Sequence, residues 1–360
     1  MKKILFLIPS LVGGGAERVM VTLANGLSKS YDVEILTLTN TESFYALNDA
    51  VKVNGIGCSV NKKNALTKFA TRFKSVFKGF FGIRKAIKDK NPDVVIAFLN
   101  SVSEPLMILK TISRLKCKTI VSERADPNER SFLHRWFERN FFPKADVIVC
   151  QSKKASEFFK DKHRSKTVII PNPICATAIP PLYEGERTKR IVGVGRLAEQ
   201  KNFELLINAF SQLDERFSDY KLEIYGAGPL ENDLKRRIND LGLSKRAFLM
   251  GAKKNVMFEL SDASLYVMSS NFEGFPNALV EAMATGLPVI STDFPTGVAT
   301  EVVKAENGLV VPINDEKALV SAMEELLCNK ERCKKISFEN RKYLDILKEE
   351  TVIKMWENIF

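Results

Sequence analysis

The sequence twice repeats one order of segments, and this order restricts the possible folds more than any other feature. An apolar run at residues 3–9 leads into Gly13-Gly14-Gly15 and then into residues 16–28, which have helical spacing. The same order of apolar run, glycine turn and helix begins again at residues 190–194. Strands that alternate with helices in this way pair in parallel, with helices on both faces of the sheet. The repeated order therefore predicts α/β units of the doubly wound kind.

Further apolar runs divide the chain of 360 residues into two such units. Predicted strands cover residues 32–38, 93–99, 118–122 and 146–150 in the first half, and 222–225, 248–250, 265–269 and 287–291 in the second. Between the halves, Pro180-Pro181 and Gly185 indicate an irregular linker. We predict a first domain at residues 1–175, a linker at 176–188, a second domain at 189–342 and a C-terminal helix at 343–360.

Composition indicates a globular chain with an anionic partner. Hydrophobic residues make up 45% of the chain, and no apolar run approaches the roughly 20 residues that span a bilayer. The apolar N-terminus runs into glycines without a cleavage site, so we interpret it as a strand and not a signal peptide. The six cysteines are scattered, as reduced thiols of a cytosolic protein would be. The net charge of +11 suits nucleic acid, an anionic membrane or a phosphorylated substrate.

The stretch at residues 271–290, NFEGFPNALVEAMATGLPVI, contains two spaced carboxylates around a predicted helix start. Glu273 lies in the loop, Pro276 suits the first helical turn, and Gly286 ends the helix. A helix N-terminus preceded by glycine can bind an anion such as phosphate. Glu281 interrupts an apolar run, so we predict that it is buried and has a polar partner. Simple solvent exposure of both carboxylates is the alternative.

The stretch EGFPNALVEAMATGLPVI resembles the donor-site signature of glycosyltransferase family 4. These are retaining enzymes of the GT-B fold, in which two doubly wound, Rossmann-like domains face a central cleft that holds both substrates. The resemblance implies that Glu273 approaches the donor sugar and that Glu281 holds the nucleotide ribose. It also implies that the C-terminal helix crosses back to the first domain. The remaining donor-site residues that it implies in this stretch are Gly274, Phe275, Asn277, Ala278 and Leu279.

A second stretch, GRLAEQKN, follows the strand at residues 190–194 and resembles another signature of the family. Two cations at a strand end can hold a diphosphate, so Arg196 and Lys201 are predicted to bind the donor diphosphate and to act with Glu273 in catalysis. The resemblance adds Gly195, Gly226 and Val256 to the nucleotide site. No Asp-x-Asp motif stands where a metal would serve, so we expect no metal and no cofactor beyond the donor.

Two segments of the first half are candidates for the acceptor side. Gly13, Gly14 and Gly15 form either a tight strand-to-helix turn or, as the resemblance implies, a loop that approaches the donor diphosphate and the acceptor. Arg124, in SERADP, stands where many relatives have histidine and resembles the SERNDP of bacterial surface-polysaccharide enzymes. No imidazole is therefore expected there as a base, which suits a front-face mechanism in which the departing phosphate accepts the proton.

Residues 61–90 form a basic segment with ten Lys or Arg and one acid. Leu66, Phe69, Phe73, Phe77 and Phe80 recur at helical spacing, and Gly79 and Gly82 predict a helix in two pieces. Three interpretations stay open: a core-packed crossover helix, an interfacial helix that binds anionic lipid, or a contact for the pyrophosphate of a lipid-linked acceptor. The residues assigned to membrane or lipid phosphate are Arg72, Lys74, Lys78 and Lys85.

These features together predict a glycosyltransferase that moves a hexose or N-acetylhexosamine from a nucleotide sugar, expected to be UDP-linked. The predicted acceptor is a lipid-linked or growing bacterial glycan, as in capsule or O-antigen synthesis. We expect a cytoplasmic protein bound peripherally to the anionic inner membrane, and no nucleic-acid partner. A nucleotide-sugar epimerase of the same fold is one alternative, and a non-catalytic anion- or nucleic-acid-binding protein is another.

Overall fold

A computed structural model describes residues 1–39, 41–58, 65–113, 115–124, 132–159, 164–174 and 178–360, without the side chains of residues 65–76, 133 and 164. The chain forms two compact units. The first unit contains Met1–Pro173 together with Glu349–Phe360, and the second contains Ile174–Lys348. Each unit is built around its own parallel sheet.

The first unit has a seven-stranded sheet in the order β3-β2-β1-β4-β5-β6-β7. Its strands are β1 Lys3–Ile8, β2 Asp32–Thr37, β3 Lys52–Gly55, β4 Val94–Phe98, β5 Lys118–Ser122, β6 Val147–Cys150 and β7 Thr167–Ile169. Its helices are α1 Gly15–Leu27, α2 Ala65–Lys90, α3 Asn100–Ile112, α4 Phe132–Phe141 and α5 Lys153–Glu157, and α13 Glu349–Glu357 from the end of the chain. The predicted strand–helix alternation is confirmed. The sequence did not predict β3 and β7, because edge strands carry few buried residues.

Alternation along the strands divides the core of the first unit into two layers. Ile4, Phe6 and Ile8 pack with α1 and α13 on one face of the sheet. Leu5 and Leu7 face the opposite side, where α2, α3 and α4 cover the sheet. Successive side chains of a strand point to opposite faces, so one apolar run supplies both layers.

The second unit has a six-stranded sheet in the order β10-β9-β8-β11-β12-β13. Its strands are β8 Thr188–Val194, β9 Lys221–Tyr225, β10 Ala247–Gly251, β11 Ala263–Met268, β12 Val289–Thr292 and β13 Leu309–Val311. Its helices are α6 Phe203–Ser211, α7 Glu231–Asp240, α8 Val256–Leu260, α9 Asn277–Ala284, α10 Val298–Val302, α11 Glu316–Cys328 and α12 Lys330–Leu347. Gly286 follows α9 with φ +81°, a conformation that favours glycine and ends the helix as predicted.

The borders of the two units differ from the predicted ones. Arg187, in the predicted linker, donates hydrogen bonds of 2.7–3.0 Å to the carbonyls of Ser261, Ala263 and Gly286, which joins the linker end to the second unit. The predicted C-terminal helix from residue 343 is divided as well. Its first residues belong to α12 in the second unit, because Leu347 is buried in that unit's core, and α13 alone belongs to the first unit.

The basic segment forms one helix over its described residues, 65–90, which corrects the prediction of two pieces. Helix α2 runs without interruption from Ala65 to Lys90. A Cβ on Gly82 would lie only 2.7 Å from the side chain of Ile56, so glycine here allows the helix to pack closely against the segment after β3. This packing offsets the cost of about 1 kcal/mol that a glycine brings to a helix interior.

Candidate active site

An ion pair lies at the carboxyl edge of the second sheet. Lys201 Nζ is 2.5 Å from Glu273 Oε1, and Glu273 is only 6% exposed. Ser270 Oγ donates to the same oxygen at 2.8 Å, and Gln200 Nε2 donates to Oε2 at 3.3 Å. The structure therefore brings two of the predicted catalytic residues together and holds the carboxylate with three donors.

The pair forms because β8 and β11 are neighbours in the sheet. The two strands are parallel, so the loops after them emerge at the same edge. Gly195, directly after β8, has Lys201 above it, and a Cβ there would lie 2.7 Å from Lys201 Cε. Gly226, after β9, has φ +151°, and a Cβ there would lie 1.8 Å from the Gly195 carbonyl oxygen. Gly195 thus leaves room for the Lys201 side chain, and Gly226 leaves room for the Gly195 carbonyl.

Arg196, the other predicted cation, comes two residues after the end of β8 and has different surroundings from Lys201. Its side chain is exposed, and it has no hydrogen bond or ion pair to another of the described residues. An exposed guanidinium at a strand end can contact an anion from solution. The two cations therefore differ, since Lys201 is held by Glu273 and Arg196 is available.

Helix α9 begins immediately after the Glu273 loop. Pro276 is its N-cap residue, and no side chain of the described residues caps the helix. An uncapped N-terminus presents N–H groups and the positive end of the helix dipole. Gly274 and Phe275 lead into it and are partly exposed, so the backbone of this turn is accessible to a ligand.

Glu281 is partly exposed, which corrects the prediction that it is buried. On α9 it shares its face with Asn277 and Ala278, which are also partly exposed, whereas Leu279 and Val280 face the core. The helical period explains this arrangement, since residues four apart lie on one face. Leu279 is fully buried, so only its backbone can contact a ligand.

Tyr266 on β11 lies near both carboxylates. Burial, together with the negative charges of Glu273 and Glu281, raises the pKa of Tyr266 well above its ordinary value. Its hydroxyl is fully buried and has no hydrogen-bond partner among the described residues. Val256, predicted near the base, is partly buried and packs against the apolar cluster that contains Tyr266, as do Phe275 and Ala278.

Sequence reasoning missed the residues that hold Glu273 in place. Thr296 Oγ1 donates to the Glu273 carbonyl at 2.9 Å, and Gln200 and Ser270 bind its carboxylate. The available signal was the small polar pair Ser269-Ser270 directly after an apolar strand, where α/β sheets place their sites.

In the first unit, the glycine loop after β1 lies at the start of α1. Gly14 is the N-cap, Gly15 is the first helical residue, and Gly13 has φ +101°. No side chain caps this helix in the part of the chain that the structure describes. A Cβ on Gly13 would lie 3.1 Å from the ring of Phe44. The loop is thus a tight turn at a helix start, and the carboxylate of Glu17, in the first turn of α1, lies close to Gly14.

Arg124 is partly exposed and lies among aromatic and polar side chains of the first unit. Its guanidinium carbon is 4.0 Å from the ring centre of Phe98 and 5.9 Å from that of Trp356. Asn172 Oδ1 accepts hydrogen bonds from both Arg124 and Gln151. Burial lowers the pKa of Arg124, whereas the neighbouring carboxylate of Glu123 raises it.

The basic residues of α2 have different surroundings. Lys78 Nζ donates to the Gly57 carbonyl at 2.6 Å, and Lys85 is exposed. The side chains of Arg72 and Lys74 lie outside the described residues, as do Leu66, Phe69 and Phe73. Phe77 is exposed, which contradicts the interpretation that the whole phenylalanine stripe lies in the core. The core contact comes from Ile83, Ala86 and Ile87, with Phe80 of the stripe packed against the same cluster.

Neither a metal cluster nor a membrane span occurs in the described part of the chain. No group of three or more His, Cys, Asp or Glu side chains there is placed to hold a metal ion. No described helix is both long enough and apolar enough to cross a membrane.

Comparison with known proteins places both halves of the chain in glycosyltransferase families. Residues 178–343 match the family described as glycosyl transferases group 1, and residues 13–177 match glycosyltransferase family 4. The Campylobacter jejuni GalNAc-alpha-(1->4)-GalNAc-alpha-(1->3)-diNAcBac-PP-undecaprenol alpha-1,4-N-acetyl-D-galactosaminyltransferase is 30% identical over 346 residues, which is 95% of this chain and 93% of the relative. The amylovoran biosynthesis glycosyltransferase AmsD of Erwinia amylovora is 25% identical over 372 residues, which covers 100% of this chain and 99% of the relative.

Solved structures of GT-B glycosyltransferases share the fold. Sucrose-phosphate synthase from Thermosynechococcus elongatus matches with a TM-score of 0.84 at 17% identity, covering 100% of this chain and 98% of the other. Anabaena HepE in complex with UDP matches with a TM-score of 0.78 at 18% identity, covering 99% of each chain. The fold prediction is therefore confirmed, and the protein is a glycosyltransferase that belongs to family 4 and has the GT-B fold.

Proposed function

We propose that the protein is a retaining glycosyltransferase that moves an N-acetylhexosamine or hexose from a UDP-linked sugar to a lipid-linked bacterial glycan. The names of two Campylobacter jejuni relatives, 30% and 28% identical, include an undecaprenol-linked acceptor and an N-acetylgalactosaminyl group, which supports this substrate class. Anabaena HepE, which shares the fold, was solved in complex with UDP, and this supports the choice of nucleotide.

The observation that carries the proposal is the pairing of Lys201 with Glu273 beside the uncapped start of α9. A diphosphate leaving group develops negative charge as the glycosidic bond breaks. Lys201, the exposed Arg196 and the N–H groups of α9 are the donors that would stabilise it. The departing phosphate oxygen would accept the proton of the acceptor hydroxyl, so this proposal needs no protein general base.

The two carboxylates take separate roles in this proposal. Glu273 is held rigidly by Lys201, Ser270 and Gln200, as a residue that orients a sugar hydroxyl would need to be. Glu281 stands on the partly exposed face of α9, where it can accept hydrogen bonds from ribose hydroxyls. Val256 and Phe275, which are both partly buried and pack against the same apolar core, would lie against the base.

We further propose that the protein works at the cytoplasmic face of the inner membrane, where a lipid-linked acceptor would lie. Arg84, Lys85 and Lys88 on the described part of α2 are exposed cations, and Phe77 and Phe81 are exposed aromatics on the same helix. This combination supports an interfacial role for α2. The alternative is that the same cations contact the acceptor pyrophosphate. Binding to anionic vesicles that contain no acceptor would support the membrane contact over this alternative.

A donor panel followed by a transfer assay tests the function. We expect UDP and one UDP-sugar to raise the melting temperature more than GDP and its sugars, because a ligand of the native state stabilises it. Mass spectrometry of a polyprenyl-diphosphate glycan should then gain one sugar, and NMR should give the α-anomer. Interconversion of the free nucleotide sugar without transfer would instead support the epimerase, and stabilisation by DNA alone would support a binding protein.

A further inference from the structure

Helix α4 presents two large aromatic side chains to solvent in the first unit. Phe132 is 75% exposed and Trp136 is 52% exposed. They lie four residues apart on a helix and therefore on one face. Phe137 and Phe141 pack against the core of the first unit, and the Trp136 ring centre is 6.1 Å from that of Phe141. Contiguous exposed apolar side chains mark interaction surfaces, whereas single ones are ordinary on protein surfaces.

The exposed charge of this segment is positive. Residues 132–144 contain Arg135, Arg139 and Lys144 as cations and Glu138 as their only acid. Glu138 is fully buried, so its carboxylate does not face a surface ligand. The accessible charges of residues 132–144 are therefore cations: Arg135 and Arg139 are on α4 with the two exposed rings, and Lys144 follows the helix with its Nζ 4.5 Å from the ring centre of Phe141.

The groups packed beside α4 change this balance little. The guanidinium carbon of Arg139 is 4.7 Å from the ring centre of Phe158. This is a cation–π contact, which does not neutralise the positive charge. Glu104 on α3 is a partly exposed acid near the helix, and its Oε1 is 3.8 Å from His134 Nε2. Among the residues that the structure describes, the charged groups at the rim of this aromatic face are therefore mostly basic.

The aromatic face of α4 belongs to the same layer of helices as α2. Helices α2, α3 and α4 cover one face of the first sheet, with α3 packed between the other two. Helix α2 contributes two more exposed rings, Phe77 and Phe81, whose centroids are 6.4 Å apart. Exposed aromatics with basic neighbours therefore occur on both outer helices of this layer.

We propose that Phe132 and Trp136 of α4 insert into the headgroup region of an anionic phospholipid bilayer, as a second membrane contact beside α2. Aromatic rings favour the interface between water and hydrocarbon, and the basic rim is attracted to anionic lipid. The inference rests on the proposed function, since a lipid-linked acceptor would lie in that bilayer. Two contacts on one layer fix the orientation of the first unit on the membrane, whereas one helix alone would allow it to rotate.

Trp136 is a built-in reporter for this contact. The chain has two tryptophans, and the other, Trp356, is fully buried. With vesicles of phosphatidylcholine and phosphatidylglycerol at low salt, we expect the emission to shift to shorter wavelength and brominated phospholipids to quench it. Neutral vesicles or high salt should abolish both changes. The Trp136→Phe variant should keep the emission of Trp356 and lose the response.

Co-sedimentation gives the energetic test. Phe132→Ser with Trp136→Ser should lower partitioning onto anionic vesicles by on the order of tenfold or more, because two rings no longer leave water. Both positions are exposed, so the melting temperature should not change. The matched control is Phe338→Ser, which removes an exposed ring beside Lys342 from the second unit and should leave partitioning unaltered.

The outcomes separate this inference from the proposed function. Sedimentation of the wild type without any change in Trp136 emission would overturn the α4 contact and leave membrane association through α2 standing. A wild type that does not bind anionic vesicles would overturn the whole membrane assignment, while transfer to a detergent-solubilised acceptor would still test the enzyme. A dimer that forms without lipid and is lost in the Trp136→Ser variant would overturn the inference in favour of a second copy.

Discussion

At the residue scale, Lys201 and Glu273 form a largely buried ion pair between side chains 72 residues apart in the chain. Desolvation of two charges is costly, and their attraction repays it only with good geometry and further hydrogen bonds. Ser270 and Gln200 supply those bonds to the carboxylate. The pair therefore stabilises the fold in addition to its proposed catalytic role. Arg196 is exposed, so its replacement should affect transfer without affecting stability.

The first prediction compares the two cations. Lys201→Ala should lower the free energy of unfolding by about 3 kcal/mol, since it leaves a buried carboxylate without its cation. Arg196→Ala should leave stability unchanged. Each should lower transfer by roughly a hundredfold or more, the scale of losing one preorganised transition-state contact. Denaturant unfolding and steady-state kinetics measure both quantities, and wild-type turnover in a folded double variant would contradict the assignment.

The second prediction compares the two carboxylates. Glu281→Gln should weaken UDP binding by roughly tenfold, because a neutral amide is a poorer acceptor for ribose hydroxyls than a carboxylate. Glu273→Gln should spare UDP binding and lower kcat, since its proposed partner is the sugar. Calorimetry with UDP and kinetics with the UDP-sugar measure these effects. The reverse pattern would mean that the two roles have been exchanged.

At the scale of elements, tertiary packing decides which face of the amphipathic helix α2 is buried. Its inner face is Ile83, Ala86 and Ile87, and its phenylalanine at position 77 faces solvent. Lys78 binds the Gly57 carbonyl and Lys90 pairs with Glu34 at 2.5 Å, so these two lysines are partly used by the fold. The cations left for an anionic surface in the described part of α2 are Arg84, Lys85 and Lys88.

The third prediction removes those three charges. Arg84→Gln, Lys85→Gln and Lys88→Gln together should reduce co-sedimentation with anionic vesicles, because each cation near the surface contributes on the order of 1 kcal/mol. Nucleotide affinity should not change. The matched control replaces the exposed Lys245, Lys317 and Lys335 of the second unit with Gln, which alters net charge equally. If both triple variants lost the same amount of vesicle binding, net charge alone would explain the effect, and this would contradict a role for α2.

At the scale of the whole molecule, each unit has a separate parallel sheet and its own core layers. Helix α13 returns the end of the chain to the first unit, where Trp356 is fully buried against Phe98. A Cβ on Gly26 of α1 would lie 2.0 Å from Ile353, so the two helices pack closely. A change at Trp356 therefore acts on the core of the first unit.

The fourth prediction uses calorimetry to assign ligand binding to a unit. We expect UDP at a hundredfold excess over its Kd to stabilise the second unit by about 2.7 kcal/mol. Trp356→Ala should destabilise the first unit by about 3–5 kcal/mol, the range for losing a large buried side chain. The two changes should affect different unfolding transitions. A UDP shift confined to the transition that Trp356→Ala lowers would place the nucleotide in the first unit.

The sequence by itself determined the two parallel sheets, the strand–helix alternation and the start and end of α9, because these depend on local apolar spacing, proline and glycine. Tertiary structure alone decided that Lys201 meets Glu273, since this requires β8 to lie beside β11 in the sheet. It also decided that Glu281 is partly exposed and that Phe77 faces water, because a helix of mixed composition shows which face is buried only after its neighbours have packed. Strand order and helix rotation are set by contacts between distant residues, which no local pattern contains.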